Sequence, residues 1–393
     1  MADKTLGAYN IFDLRDMARR RLPRFLFEYV DRGSEDEVAL RNNRAAFDRI
    51  KLIPRTLVDV SARNTETMLF GRRHSMPLAI APTGTAGLMW YRGEIALARA
   101  ARAAGVPFTL ATSSLSAIET IAAEAGGTLW MQLYSMWPDR ELSYEIVDRA
   151  RVAGFEALIF TVDSIVAPNR EYNIRNGLRI PFRFSGTNVV DVLCHPRWML
   201  GVLGRYLSST GMPRYENYPA SIRSSVTAIP KGEVRVKMKN ESLNWDDLRA
   251  LRKRWPHTLI VKGILRAEDA RRAVELGADA VVVSNHGGRN LDSTPAPIEV
   301  LPEIVDAVGN RTTVMVDGGF RRGSDVVKGL ALGAQAVLVG RGTLYGTAAG
   351  GEAGAARALA LYGEEIDRVM ALIGARSLAD LGPQYLHFTE RLR

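Results

Sequence analysis

One pattern recurs along this chain: a helix-like stretch ends at glycine, and an unbroken run of Val, Ile, Leu and Ala follows. It is plain in "RARVAGFEALIFTVD", "RRAVELGADAVVVSN" and "GLALGAQAVLVGR". Glycine is the natural stop for a helix because it reaches the left-handed conformation without a Cβ penalty. A run without polar alternation is how a strand buried on both faces reads, and such strands belong to parallel sheets covered by helices. Related runs in "PLAIAPTG", "PFTLATSS", "LWMQLYS", "TLIVKG" and "TTVMVDGG" bring the strand candidates to eight. They fall near residues 77–82, 107–112, 129–134, 157–162, 258–262, 280–284, 312–316 and 336–340. Helical patterns fill most of the gaps. Eight such units predict an α/β fold, a TIM (β/α)8 barrel, whose strand C-terminal ends share one mouth. A doubly wound open sheet is the competing fold.

Two segments break the rhythm. Residues 1–60 precede the first strand and contain "IFDLRDMARRRLPRFLFEYV", an N-terminal helical segment that reads as a lid or base. Residues 170–242 form a long insertion loop after strand four, and an excursion of that length inside a compact domain is usually functional. Residues 1–393 are expected to make a single domain, since α/β barrels take up long chains as one unit.

Composition narrows the class. With 47% hydrophobic and 24% charged residues, the chain has ample material for a large core. Its one cysteine, Cys194, excludes an internal disulfide framework and suits a reducing compartment. No apolar run reaches signal-peptide or membrane-spanning length, so the expected location is cytoplasmic. The net charge is +9, from 52 basic and 43 acidic residues. Between Ser164 and Ser242 there are 12 Lys/Arg and 5 Asp/Glu, so most of the excess sits in the insertion. There is no nucleic-acid-binding motif, and nucleic acid is not an expected partner. An anionic membrane surface or anionic small molecules fit the basic stretch at least as well. Within it, "HPRWMLGVLGRYL" reads equally as a solvated cover or as a peripheral contact on the inner face of the cell membrane.

The strand ends carry the chemistry. Strands seven and eight run into "DGGFRRG" and "GRG", glycine-rich loops bearing arginine at the positions where barrels commonly grip a phosphate. Lys262 ends strand five inside the greasy run "LIVKGIL", where a lysine needs an anionic or electron-rich partner. "SNHGGR" (284–289) hands a histidine and an arginine to the mouth. His286 is the candidate base, because imidazole titrates near neutrality. Asp163, in "TVD" at the end of strand four, is placed to orient it. Arg170, Arg289, Tyr29 and Tyr134 form a cationic, hydroxyl-rich set suited to a carboxylate substrate. His74, His195, His257 and His387 read as surface or packing residues. No His/Cys/Asp cluster has metal-ligand spacing, and GxSxG, a P-loop and a convincing Rossmann fingerprint are absent.

These residues, "SNHGGRNLD" with "TVD" upstream and "DGGFRRGSDVVKGLALGAQAVLVGR" downstream, resemble the FMN-dependent α-hydroxy-acid oxidases and dehydrogenases. The resemblance runs from "RRLPRFLFEYVDRGSEDE" to the last helices. "LCHPRW" and "ESLNWDDLRALRKRWPHTLIVKG" are most similar to the mandelate dehydrogenases, with membrane-associated lactate dehydrogenases next. The resemblance implies FMN across the barrel mouth and His286 as catalytic base paired with Asp163. It implies that Arg289 and Tyr29 hold the substrate carboxylate, while Tyr134 and Arg170 face the hydroxyl. The phosphate would meet Gly319, Arg321, Gly340 and Arg341. Thr83, Gln132, Thr161 and Ser284 would touch the ring or ribityl chain, with Ala81, Pro82, Ser113 and Asp317 completing the cofactor set. Lys262 would sit near N1 and the C2 carbonyl, where negative charge collects on reduction.

The departures bear on substrate and acceptor. Asn290 stands where most relatives have Gln, and Ala111 where many have serine. Ser113 replaces a bulky tryptophan of the glycolate oxidases, leaving room for a larger substituent. Gly84 is like the mandelate dehydrogenases, whereas oxidases tend to have alanine there. The resulting expectation is oxidation of an L-(S)-2-hydroxy acid, mandelate-like, with electrons passed to a quinone or other membrane acceptor, by a homotetramer of the family's usual kind. Lactate as substrate, an oxidase releasing hydrogen peroxide, the same flavin on an α-amino or peptide-derived group, and a non-catalytic phosphate-binding barrel are the alternatives.

Overall fold

The eight apolar runs form eight strands: β1 (Leu78–Ile80), β2 (Phe108–Ala111), β3 (Leu129–Leu133), β4 (Ala157–Thr161), β5 (Thr258–Ile264), β6 (Ala280–Val283), β7 (Thr313–Val316) and β8 (Ala336–Val339). Each pairs in parallel with the next, and β8 pairs with β1, closing the barrel that the sequence predicts. The structure, a computed structural model, describes residues 7–134, 137, 139–178, 185–227 and 240–389.

The strands lack polar alternation because both faces are buried, but against different things. Ala79, Trp130, Ile159, Ile260, Val282, Met315 and Leu338 fill the lumen. Their neighbours in sequence, such as Leu158, Val261, Val281, Val314 and Val339, pack outward on the ring of helices. A hairpin of Thr67–Leu69 and Arg72–His74 closes the lower end, setting Phe70 edge-on against Trp130 with ring centroids 5.8 Å apart. The repeated glycines behave as the sequence indicates: Gly154, Gly277 and Gly333 each turn from helix to strand at positive φ.

The N-terminal segment is helical, as expected. Its helices are α1 (Ile11–Arg21), α2 (Arg24–Asp31) and α3 (Val38–Asp48). Asn10 caps α1 by accepting from the amides of Phe12 and Asp13. Then α1 packs along the long C-terminal helix Arg341–Ile373, which is broken at Gly350 and Gly351. This packing carries α2, with Tyr29, up to the barrel mouth. The stretch read as an insertion loop is partly helical where described, with short helices at Glu171–Arg175, Gly186–Leu193, Pro196–Trp198 and Arg205–Ser209 and a π-helix at Met199–Gly204. No described helix is long and apolar enough to cross a membrane.

Candidate active site

At the end of β6 the chain enters the left-handed region at three successive residues, His286, Gly287 and Gly288 (φ 58°, 65° and 71°). Two glycines make this turn cheap; the histidine does not, so its backbone must be held. Ser284 Oγ accepts from the His286 amide at 3.0 Å. The side chain of Asn285 exchanges hydrogen bonds with Asn43 of α3 at 2.9 and 2.8 Å. The imidazole is thereby aimed into the mouth.

His286 Nδ1 lies 2.9 and 3.2 Å from the two oxygens of Asp163. A ring nitrogen facing a carboxylate carries the proton, which leaves Nε2 as the acceptor. Nε2 lies 3.1 Å from the Tyr134 hydroxyl, and the two rings stack at 6.2 Å. Burial pushes the His286 pKa below its ordinary value, Asp163 opposes this, and Lys262 adds to it. The result is a neutral imidazole at neutral pH, ready to accept a proton. Burial pushes Asp163 up, but His286 and Lys262 outweigh it and hold the carboxyl below its ordinary range.

Beside the imidazole stand two guanidiniums. Arg289 Nη1 donates to the carbonyls of Tyr29 (2.6 Å) and Arg32 (3.1 Å), and the group lies 5.1 Å from the centre of the Tyr29 ring. Arg170 Nε donates to the Arg289 carbonyl at 2.9 Å. Burial, then the adjacent Arg289, lowers the Arg170 pKa to about 10. Burial would raise the Tyr29 phenol, but Arg289 and Arg170 bring it below its usual value. Among the described residues neither arginine forms an ion pair with a carboxylate. Two partly buried cations facing one cavity call for an anion from outside.

The far side of the cavity repeats that electrostatic situation. Arg341 is partly buried and donates to the carbonyls of Val30 (2.8 Å), Gly287 (2.9 Å) and Arg32 (3.1 Å), again with no carboxylate at ion-pair distance among the described residues. Burial, then Arg289, lowers its pKa to about 9. Arg321 reaches the same lobe, as do Gly319 and Gly340. Position 319 must be glycine: a Cβ there would stand 2.0 Å from the Asn43 carbonyl oxygen. Lys262, read from sequence as needing a partner, has two. Its Nζ donates to Ser284 Oγ at 2.9 Å and pairs with Asp317 at 3.1 Å, both side chains nearly buried. The other oxygen of Asp317 is buried with no hydrogen-bond partner in the protein. A phosphate in the arginine lobe and a hydroxyl on Asp317 answer both needs. A phosphorylated polyhydroxyl chain such as that of FMN supplies the two together, so the residues present fit this cofactor.

All these groups share one cavity of about 390 Å³. Its wall includes Tyr29, Ala81, Pro82, Thr83, Ser113, Gln132, Tyr134, Arg170, Lys262, His286, Arg289, Asp317, Gly319, Arg321, Gly340 and Arg341. Asp163 stands behind His286. Thr161 and Ser284 stand just behind that wall. The Thr161 hydroxyl accepts from Gln132 Nε2 at 3.0 Å, and Ser284 accepts from Lys262, so each steers a longer side chain that covers it. The room expected at Ser113 is shared by a residue the sequence reading missed: the Tyr218 hydroxyl lies 3.1 Å from Ser113 Oγ. Tyr218 stacks on Tyr215, and both come from the insertion. Thr85, which hydrogen-bonds the Tyr29 hydroxyl, was missed as well. Among the described residues no cluster of His, Cys, Asp and Glu is arranged to hold a metal ion.

Comparison with known proteins gives the family. Residues 18–388 match the family model described as FMN-dependent dehydrogenase. The chain is 44% identical over 378 residues to (S)-mandelate dehydrogenase of Pseudomonas putida, covering 96% of this chain and 93% of that protein. It is 40% identical over 383 residues to an L-lactate oxidase of Nostoc, covering 96% and 98%. Among solved structures, the monotopic membrane protein (S)-mandelate dehydrogenase superposes with a TM-score of 0.90 at 43% identity, covering 97% of this chain and all of that one.

Proposed function

The chain belongs to the FMN-dependent dehydrogenase family, and from that premise we propose that it oxidises an L-(S)-2-hydroxy acid of mandelate-like bulk to the 2-oxo acid and delivers the electrons to a quinone or similar acceptor at a membrane surface. The observation that carries the reading is the Asp163–His286–Tyr134 chain facing Arg170 and Arg289 across one cavity. FMN, when bound, takes the two electrons that the hydroxy acid gives up.

The rest of the work falls to side chains. Arg289 and Arg170 bind the carboxylate and orient the α-carbon, and Tyr29 closes over it. His286 takes one of the two protons lost, through Nε2. Asp163 keeps the imidazole in the accepting tautomer and stabilises the cation that forms, which is worth most in a site shielded from water. Lys262 keeps a positive charge on the cofactor side, locked by Asp317 and Ser284. Tyr215 and Tyr218 give the substituent an apolar wall, which supports an aryl-bearing substrate over glycolate.

A membrane-surface acceptor is supported by the outer face of the insertion. Val190, Leu193, Leu200 and Leu207 are 55–67% exposed there, interspersed with exposed Arg197 and Arg205. Apolar side chains flanked by arginine suit an anionic bilayer surface.

Anaerobic stopped-flow with a panel of 2-hydroxy acids tests the reaction: (S)-mandelate should bleach the flavin bands and (R)-mandelate should not. Bleaching by neither, with lactate also inert, refutes the reading. Flotation with anionic liposomes at low salt tests the location, and rapid peroxide formation under air would assign the electrons to oxygen instead.

A further inference from the structure

The catalytic cavity has a neighbour. A second cavity, about 190 Å³, lies between α2 and the insertion. Tyr29, Thr85, Arg170 and Tyr215 line both cavities and so form the junction between them. These are substrate-side residues; Gln132, Lys262 and Gly340, on the cofactor side, line only the first. The second cavity therefore adjoins the place where the carboxylate is held, not the phosphate lobe.

Beyond the junction the wall is mainly hydrocarbon and aromatic ring. Leu88, Trp198 and Val202 are central to it, with Phe25 edge-on to Trp198 at 6.4 Å. Of the few polar side chains there, two are engaged with main chain and one with a side chain: Trp198 Nε1 donates to the Leu88 carbonyl at 2.6 Å, the Tyr206 hydroxyl accepts from the Arg92 amide at 3.2 Å, and the Thr227 hydroxyl lies 3.2 Å from that of Ser225; the Asn173 amide also lines the wall. Arg170, at the junction, is the one cation among the described lining residues. A quinone head, with two carbonyls to satisfy, finds poor partners here, whereas methylene groups need none.

We propose that this second cavity receives the far end of the substituent on the α-carbon, so that the preferred substrates are 2-hydroxy acids with a hydrocarbon group longer than phenyl, a medium-length alkyl chain in the simplest case. The proposal rests on the hydroxy-acid reading above and names its substrate class. The carboxylate stays on Arg289 and Arg170, and the chain passes the junction beside Tyr215. Val202, in the π-helix of the insertion, and Leu88, in the short helix Ala86–Met89 that follows β1, bound the chamber from separate stretches of the chain.

The test is anaerobic flavin reduction of the FMN-loaded enzyme by (S)-lactate, 2-hydroxyhexanoate and 2-hydroxyoctanoate. The second-order constant should rise by about fourfold for each methylene buried. Val202→Phe fills the chamber, and it should leave lactate within twofold of the parent while costing 2-hydroxyoctanoate at least tenfold. Leu88→Phe should give the same selective loss from another wall, and normal reduction by lactate certifies that each variant is folded. A flat series in the parent enzyme overturns the proposal, and so does an equal loss on both acids. Unchanged reduction by 2-hydroxyoctanoate with slowed reoxidation by a soluble quinone also overturns it and gives the chamber to the acceptor. If lactate and mandelate reduce the flavin normally while chain length has no effect, the hydroxy-acid reading survives and this inference alone fails.

Discussion

The two walls of the active-site cavity are built by different means. The strand-end wall holds Asp163, Lys262, His286 and Asp317 on four strands of one closed barrel, each tied by charged or directional bonds of 2.9–3.1 Å. The insertion wall offers Tyr215 and Tyr218, stacked at 4.9 Å with Trp137 edge-on at 5.5 Å. The first wall places protons and charges, which tolerate little displacement. The second supplies apolar area, for which shape matters more than any one atom. Changes in the strand-end wall should therefore slow every substrate alike, and changes in the insertion wall should re-rank substrates.

The largest expected effect tests the first half of that division. His286→Gln removes the base but keeps the size and polarity of the side chain. Flavin reduction should fall by about 10³–10⁴-fold, by the same factor for lactate and mandelate, with FMN still bound by its absorbance. A loss that varied with substrate size would break the division. Asp163→Asn comes next, at roughly 10²–10³-fold, and adds a pH signature. The imidazole must be neutral to act, so the rate falls as pH drops through its pKa. Burial holds that pKa below the ordinary value and Asp163 pulls it back up. Without the carboxylate it drops further, so the acid limb of the kcat/KM profile should move to lower pH. A limb that moved upward would mean that Asp163 does not face the imidazole.

The same division explains what could be read from sequence. The strands were legible because burial on both faces leaves an unbroken apolar run, and a strand's end then identifies a mouth residue. His286, Asp163, Lys262 and the arginines followed. Thr161 and Ser284 show the limit of that logic: both stand at strand ends, but Gln132 and Lys262 reach over them. Tyr215 and Tyr218 gave no such signal. They lie in a turning, non-helical stretch without a period, and the pairing of Tyr218 with Ser113 spans 105 positions. Thr85 was hidden likewise, since its bond to Tyr29 depends on how α2 is carried over the mouth.

Arg289 sits where the two walls meet, because Arg170, at the start of an insertion helix, donates to its carbonyl. Arg289→Lys keeps the charge but loses the planar fork that grips a carboxylate and the two carbonyl contacts. Hydrogen bonds to charged groups are worth about 1.5–3 kcal/mol, so kcat/KM should fall roughly 10- to 100-fold. Every 2-hydroxy acid carries the same carboxylate, so the factor should not depend on the substituent. A factor that grew with substituent length would place Arg289 functionally with the insertion.

The smallest effect is the sharpest test of the second half. Tyr218→Phe removes only the hydroxyl that meets Ser113 at 3.1 Å. One neutral hydrogen bond contributes about 0.5–1.5 kcal/mol, so the change should stay within roughly tenfold. The lost bond fixes a wall that touches the substituent both before and during the reaction. Uniform binding of that kind changes KM and leaves the reduction rate at saturation unaltered. The effect should be visible with mandelate and within error with lactate, whose methyl group does not reach the tyrosine pair. If Tyr218→Phe instead slowed saturated reduction by lactate, the insertion would be supporting the chemistry. In that case the contact to Ser113, at the end of β2, would have to carry strain from one wall to the other.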